Sequence, residues 1–189
     1  IFRNAQNNQG YNSAGIDESN TNENEIIDIE DNIFDGISGI CQGRCMYINT
    51  VNSDKLTIRN NTIQNLPAGG FYIKLSFAVK ATRYQIESCR LINNSVSNYW
   101  YNTLNVNPQI WLENPLNNDI SEEITVIFNN CYFENNYCPR RGGALNYGKS
   151  KHTCNSMIEL HHCKFIGNTA GEPGGALCIQ SYQGCEIDQ

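Results

Sequence analysis

The residues best equipped for chemistry fall in four places along the chain. Asp28 and Glu30 are two apart, so on a strand they share one face, as the paired acids of a polysaccharide-cleaving enzyme would. His152-Thr153-Cys154 and His161-His162-Cys163 hold the imidazole and thiol inventory of a zinc site. Tyr99, Trp100, Tyr101 and Trp111, which include both tryptophans of the protein, lie among Asn and Pro. Flat apolar rings beside amides suit a sugar ring or a partner protein, and equally suit covering a core flank. The acidic stretch from Asp17 to Asp35 could offer oxygens to Ca²⁺, but it matches no EF-hand spacing and reads as a solvated loop.

Composition narrows these options. The chain has 189 residues and a net charge of −6, with a pI near 5.0. The basic footprint of a nucleic-acid binder is absent, so no nucleic-acid partner is expected. No run approaches the ~18 apolar residues of a membrane helix, so no membrane span is expected in this segment. Nine Cys point to an oxidising, extracellular or cell-surface setting, and being odd in number they leave at least one thiol free or bonded outside the chain. Asn occurs 29 times, a level that marks turns or stacked amides. Charge is uneven: residues 1–43 carry eight acids against Arg3, a net of −7, and the remainder carries +1.

The elements that must position these groups come from an internal repeat, apolar-x-apolar-x-x-(Asn/Cys)-x-apolar. Its copies begin at Ile27, Leu56, Tyr84, Val126 and Ile158, separated by 29, 28, 42 and 32 residues. Each copy alternates with period 2, breaks at a polar corner and alternates again, which reads as short strands joined by tight bends. A unit this short buries its apolar face only by stacking on its neighbours, strand on equivalent strand. The fold expected is all-β, a parallel β-helix of about five to six coils, right-handed by the general bias of parallel crossovers. Three inward columns follow: Ile27, Leu56, Tyr84, Val126, Ile158; Ile29, Ile58, Ile86, Phe128, Leu160; and Phe34, Ile63, Leu91, Phe133, Phe165. Two corner columns hold Asn32, Asn61, Cys89, Cys131, Cys163 and Asn94, Asn136, Asn168, whose amides can bond along the axis. Outward Glu30, Arg59 and Glu87 alternate in charge from coil to coil. Residues 1–189 form a single β-helix segment. With no polar cap evident at either end, they read as an excerpt of a longer chain, with residues 98–123 as a loop insertion between coils.

Stacking weakens the chemical readings. The coil above Asp28 and Glu30 offers Thr57 and Arg59, then Gln85 and Glu87, and no motif set of a polygalacturonase is present, so no catalysis is expected. Cys163 sits in the inward corner column while Cys154 belongs to a loop, so no convergent metal site and no cofactor are expected. Among the cysteines, Cys154 and Cys185 follow their Gly-Gly pairs at 11 and 10 residues and form one candidate disulfide, and Cys41 with Cys45 another. Cys89, Cys131 and Cys163 are either free and buried or two of them pair. Asn60-Asn61-Thr62 and Asn93-Asn94-Ser95 are sequons at bends, making Asn60 and Asn93 candidate glycosylation sites.

Phe133-Glu134-Asn135-Asn136 followed by Gly142-Gly143-Ala144-Leu145, and Phe165-Ile166-Gly167-Asn168 followed by Gly174-Gly175-Ala176-Leu177, carry a resemblance. This pair resembles the Phe-x-x-Asn and Gly-Gly-Ala-(Ile/Leu/Val) repeats of the polymorphic outer-membrane protein family, which also occur in protist surface proteins. The likeness covers about residues 126–180. It implies an extracellular β-helical surface adhesin or scaffold, with a host or neighbouring cell-surface protein, a glycan or further copies of itself as partner. Tyr99, Trp100, Tyr101 and Trp111 are the candidate contact residues. Two other classes remain as alternatives: a polysaccharide-active lyase or glycosidase, and a subunit of an extracellular filament.

Overall fold

The computed structural model describes residues 2–3, 6–7, 16–20, 26–36, 38–39, 46–51, 55–66, 71–77, 82–95, 104–110, 124–139, 141–148 and 156–180. These residues contain strands, bends and turns and no helix. Sheet 1 stacks Ile26–Glu30, Lys55–Arg59, Thr82–Glu87, Ile124–Asn129 and Ser156–His161. Sheet 2 stacks Phe2–Arg3, Ile33–Asp35, Thr62–Gln64, Arg90–Ile92, Tyr132–Glu134 and Lys164–Ile166. Sheet 3 stacks Ile16–Asn20, Met46–Val51, Phe71–Phe77, Leu104–Ile110, Leu145–Gly148 and Leu177–Gln180. The chain visits the three sheets in turn and pairs in parallel with its own previous coil each time, which is the expected parallel β-helix.

The register follows the repeat. Val126 pairs with Tyr84 and Ile158, Phe128 with Ile86 and Leu160, and Phe133 with Leu91 and Phe165. Pairing in this register places like side chains one above another, and all three inward columns run through the core cluster. Phe34, Ile58, Phe128 and Phe133 are fully sealed from solvent. Phe133 lies flat on Phe165, ring centroids 4.7 Å apart and 3° from parallel. In the last described coil the same columns are only half-buried at Ile158, Leu160 and Phe165.

Each polar corner is a single residue at positive φ between two extended stretches. Between sheets 1 and 2 that residue is Asp31, Asn60, Ser88, Asn130 and His162, with φ of 57°, 54°, 53°, 54° and 53°. Past sheet 2 it is Gly36, Asn65, Asn93, Asn135 and Gly167. Asn is among the few side-chain-bearing residues that tolerate this region. The Asn-Asn pairs at 60–61, 93–94 and 135–136 therefore divide two tasks: the first residue bends the chain and faces water, and the second turns inward.

The Gly-Gly turns also have a physical basis. Gly142 and Gly174 take φ of +66° and +87°. A Cβ on Gly143 would run into the backbone carbonyl oxygens of Thr169 and Gly175 in the next coil, whereas one on the equivalent Gly175 would meet only Asn168 O at 3.6 Å.

Two stretches differ from expectation. Residues 104–110, inside the stretch 98–123 expected to be a loop insertion, are a sheet 3 strand paired to both neighbours. Apolar residues at 104, 106, 108 and 110 alternate with Asn105, Asn107 and Gln109, a strand pattern overshadowed by the nearby aromatics. Likewise Ile16–Asn20, at the start of the acidic stretch, is a strand pairing with Met46–Val51, whereas Ile26–Glu30 and Ile33–Asp35 are the strands expected of the repeat copy that begins at Ile27. Acidic side chains are compatible with a strand face that water reaches, as the exposed Asp28 shows.

Phe133→Ala is expected to lower stability by about 3–5 kcal/mol, read as a fall in the urea midpoint. Gly143→Ala is expected to lower that midpoint far more than Gly175→Ala, because only the former drives a Cβ into backbone that cannot yield.

Candidate functional site

The most organised polar constellation is the pair of corner ladders. In the first, Asn61 Nδ2 donates to Ile29 O of the coil below at 2.8 Å and to Arg59 O at 3.1 Å, and its Oδ1 accepts the Asn32 amide at 3.0 Å. Cysteine then replaces asparagine, with its single S–H facing the two equivalent carbonyl oxygens. Cys89 Sγ donates to Ile58 O at 3.6 Å and Glu87 O at 3.4 Å; Cys131 Sγ to Ile86 O at 3.3 Å and Asn129 O at 3.6 Å; Cys163 Sγ to Phe128 O at 3.6 Å and His161 O at 3.5 Å. A thiol therefore continues the ladder as a small, weak donor.

The second ladder is all amide over three coils. Asn94 Nδ2 donates to Ile63 O and to Asn136 Oδ1, each at 3.0 Å. Asn136 Nδ2 donates to Leu91 O at 2.9 Å and Asn168 Oδ1 at 2.8 Å, and Asn168 Nδ2 to Phe133 O at 3.0 Å. Backbone amides of Leu66, Asn94 and Asn136 feed the same oxygens from the coil below. Buried amides of this kind are tolerable only because their donors are satisfied along the axis.

The three stacked thiols influence one another's protonation. Cys163 is held down to about 7, chiefly by the Cys131 thiol donating to it, opposed by burial and helped by the Cys131 amide. Cys131, between two sulfurs and buried, is pushed well above the ordinary thiol range. Cys89, Cys131 and Cys163 are all free thiols.

On the outer face, Arg59 Nη2 bonds both carboxylate oxygens of Glu30 at 2.7 Å, and its pKa is raised by that hydrogen bond and by the Glu30 charge. Asp28 is exposed two residues before Glu30 on the same face. Glu159 bonds His161 at 2.9 Å, and Arg141 bonds Glu172 at 3.1 Å between successive Gly-Gly turns. Arg90 stands over the Tyr132 ring at 5.6 Å; burial, then Glu134, raises the Tyr132 pKa.

Among the residues singled out from sequence, Asn60 and Asn93 are both exposed positive-φ corner residues, one at the bend between sheets 1 and 2 and the other at the bend past sheet 2. Tyr99, Trp100, Tyr101, Trp111, Cys41, Cys45, Cys154, Cys185 and His152 lie outside the described residues. His161 and His162 face solvent, whereas Cys163 turns toward the core, so these three do not converge. Sequence reasoning missed the positive-φ role of the first Asn in each pair. The doubled Asn was the available signal.

The chain is thus a parallel β-helix repeat protein with amide and thiol corner ladders. No protein-family model, curated protein or solved structure matches it.

Asn61→Ala is expected to lower stability by roughly 2–3 kcal/mol by orphaning the Ile29 carbonyl and the Asn32 amide. Asn61→Cys is expected to lose about half as much, since cysteine fills this corner in the three coils that follow. Equilibrium urea unfolding of the two variants measures the difference.

Proposed function

We propose that this chain is an extracellular or cell-surface β-helical module for adhesion or structural scaffolding, acting without catalysis. One observation carries the reading. The inward and corner positions of the repeat are taken up by stacking, while the outward columns change from coil to coil. The column above Glu30 reads Arg59, Glu87, Asn129 and His161. A uniform interior with a varied exterior is a stiff rod that displays different contacts along its length. The Phe-x-x-Asn and Gly-Gly-Ala-Leu resemblance supports the same reading, because its residues supply the stacked Phe133 and Phe165, the Asn136–Asn168 ladder and the Gly142 and Gly174 turns.

The paired-acid alternative is disfavoured at Asp28 and Glu30, since both oxygens of Glu30 are occupied by Arg59. A partner would be a cell-surface protein or glycan, with Tyr99, Trp100, Tyr101 and Trp111 as candidate contacts. In a eukaryotic secretory route Asn60 and Asn93 would carry glycans.

Replacing Tyr99, Trp100, Tyr101 and Trp111 by alanine, which spares the strand at 104–110, is expected to abolish binding of the purified chain to a cell or glycan panel while leaving the β circular dichroism spectrum intact. Unchanged binding would remove the insertion as the contact site. Turnover of a polysaccharide that is lost in Asp28→Asn or Glu30→Gln would overturn the non-catalytic reading. Expression in a secretory host is expected to add mass that a glycosidase removes and that Asn60→Gln with Asn93→Gln prevents.

A further inference from the structure

Basic side chains on the outer surface fall into two groups. Arg59 is bonded to Glu30, Arg141 to Glu172 and His161 to Glu159. Arg90 and Lys164 have no carboxylate partner among the described residues, and both lie in one outward column of sheet 2. That column reads Thr62, Arg90, Tyr132 and Lys164 over successive coils. Arg90 is exposed although coils stack on both sides of it, so its exposure belongs to the outward position itself. Lys164 holds the same position beside the core residue Phe165.

The arrangement keeps the two charges apart and unneutralised. At two strand spacings they stand roughly 9.6 Å from each other. Tyr132 lies between them, with the Arg90 guanidinium 5.6 Å from its ring centroid, a contact that steadies the arginine without cancelling its charge. From Thr62 upward the only acid among the described outward residues of this sheet is Glu134, which the Tyr132 hydroxyl engages. Glu87, around the bend on sheet 1, acts on Arg59. Beside the column runs the bend row, where Ser88, Asn130 and His162 present a hydroxyl, an amide and an imidazole.

We propose that this strip binds a linear acidic polysaccharide laid along the helix axis. Its anionic groups meet Arg90 and Lys164, and its hydroxyls meet Ser88, Asn130 and His162. The proposal rests on the surface-module reading in taking a glycan as partner, but it uses residues other than Tyr99, Trp100, Tyr101 and Trp111. Two separated cations among neutral hydrogen-bonding groups suit a sparsely charged, hydroxyl-rich polymer. A nucleic acid carries charge far more densely and demands a broader basic track. An extended acidic peptide repeats its same-face side chains every ~6.8 Å, out of step with the two cations. Because the whole chain carries −6, the attraction is confined to the strip and is weakened by salt.

The test measures retention of the purified chain, freed of N-linked glycans, on immobilised polygalacturonate, dextran sulfate and uncharged dextran. Retention is expected on an acidic polymer and not on dextran, with release as salt rises; polygalacturonate reads a carboxylate and dextran sulfate a sulfate. Arg90→Gln with Lys164→Gln is expected to weaken retention by about ten-fold. Arg59→Gln with Arg141→Gln, the same charge change at paired cations, is expected to leave it unchanged. In the wild-type chain, bound polymer is expected to shield Lys164 from acetylation, mapped by mass, which needs no variant. No retention on either acidic polymer, equal weakening by the paired-cation variant, or unshielded Lys164 overturns the inference. Equal retention on poly-glutamate also overturns it, by making the occupant an acidic peptide. Alanine at the four candidate aromatics is expected to leave this retention intact, so the strip and the aromatic contacts fail separately.

Discussion

The rest of the structure depends on in-register parallel pairing of each coil with the one before it. Once Tyr84 pairs with Val126 and Val126 with Ile158, every other residue of the coil is committed to a column. Columns of like residues follow because a large ring packs best over another ring, as Phe133 over Phe165, and a buried amide finds its partner in the amide above. Slipping the register by one would turn each inward side chain out and break both ladders at once.

Corners are where this constraint is hardest to meet. A sharp bend between extended strands leaves backbone groups facing the interior with no strand partner. The chain meets the bend with a positive-φ residue and the unpaired carbonyls with an inward Asn or Cys. Asn60 and Asn61 show the division in a single dipeptide. The same grammar generates the sequons, since an outward Asn, an inward Asn and a strand-starting Thr62 or a bridging Ser95 make the acceptor pattern at these two corners. Cysteine in three consecutive corner positions keeps the donor and discards the acceptor amide. It also brings soft, ionisable sulfurs into a row. These three cysteines have a packing role that owes nothing to an oxidising compartment. The argument from cysteine content for an extracellular setting therefore draws nothing from them.

Much of this could be read in advance from the residues. The three inward columns, both corner columns and the Glu30–Arg59 pairing were all visible in the repeat, because period-2 alternation and a fixed corner offset survive in the linear order. Other features were hidden for identifiable reasons. The strand at 104–110 was obscured by the aromatics around it, although its alternation was regular. The strand at 16–20 was obscured by its charges, which signal water on one face and say nothing about backbone pairing.

By itself, then, the order of residues determined the all-β class, the repeat length and which side chains face inward, since these depend on neighbours within a few positions. Only the tertiary structure decided which groups meet across coils. It made Gly143 unable to bear a Cβ while Gly175 can, gave both oxygens of Glu30 to Arg59, and stacked Cys163 on Cys131 in one corner column. The physical reason is the same in each case: these contacts join residues about thirty positions apart, and their geometry exists only once the register of the stack is set.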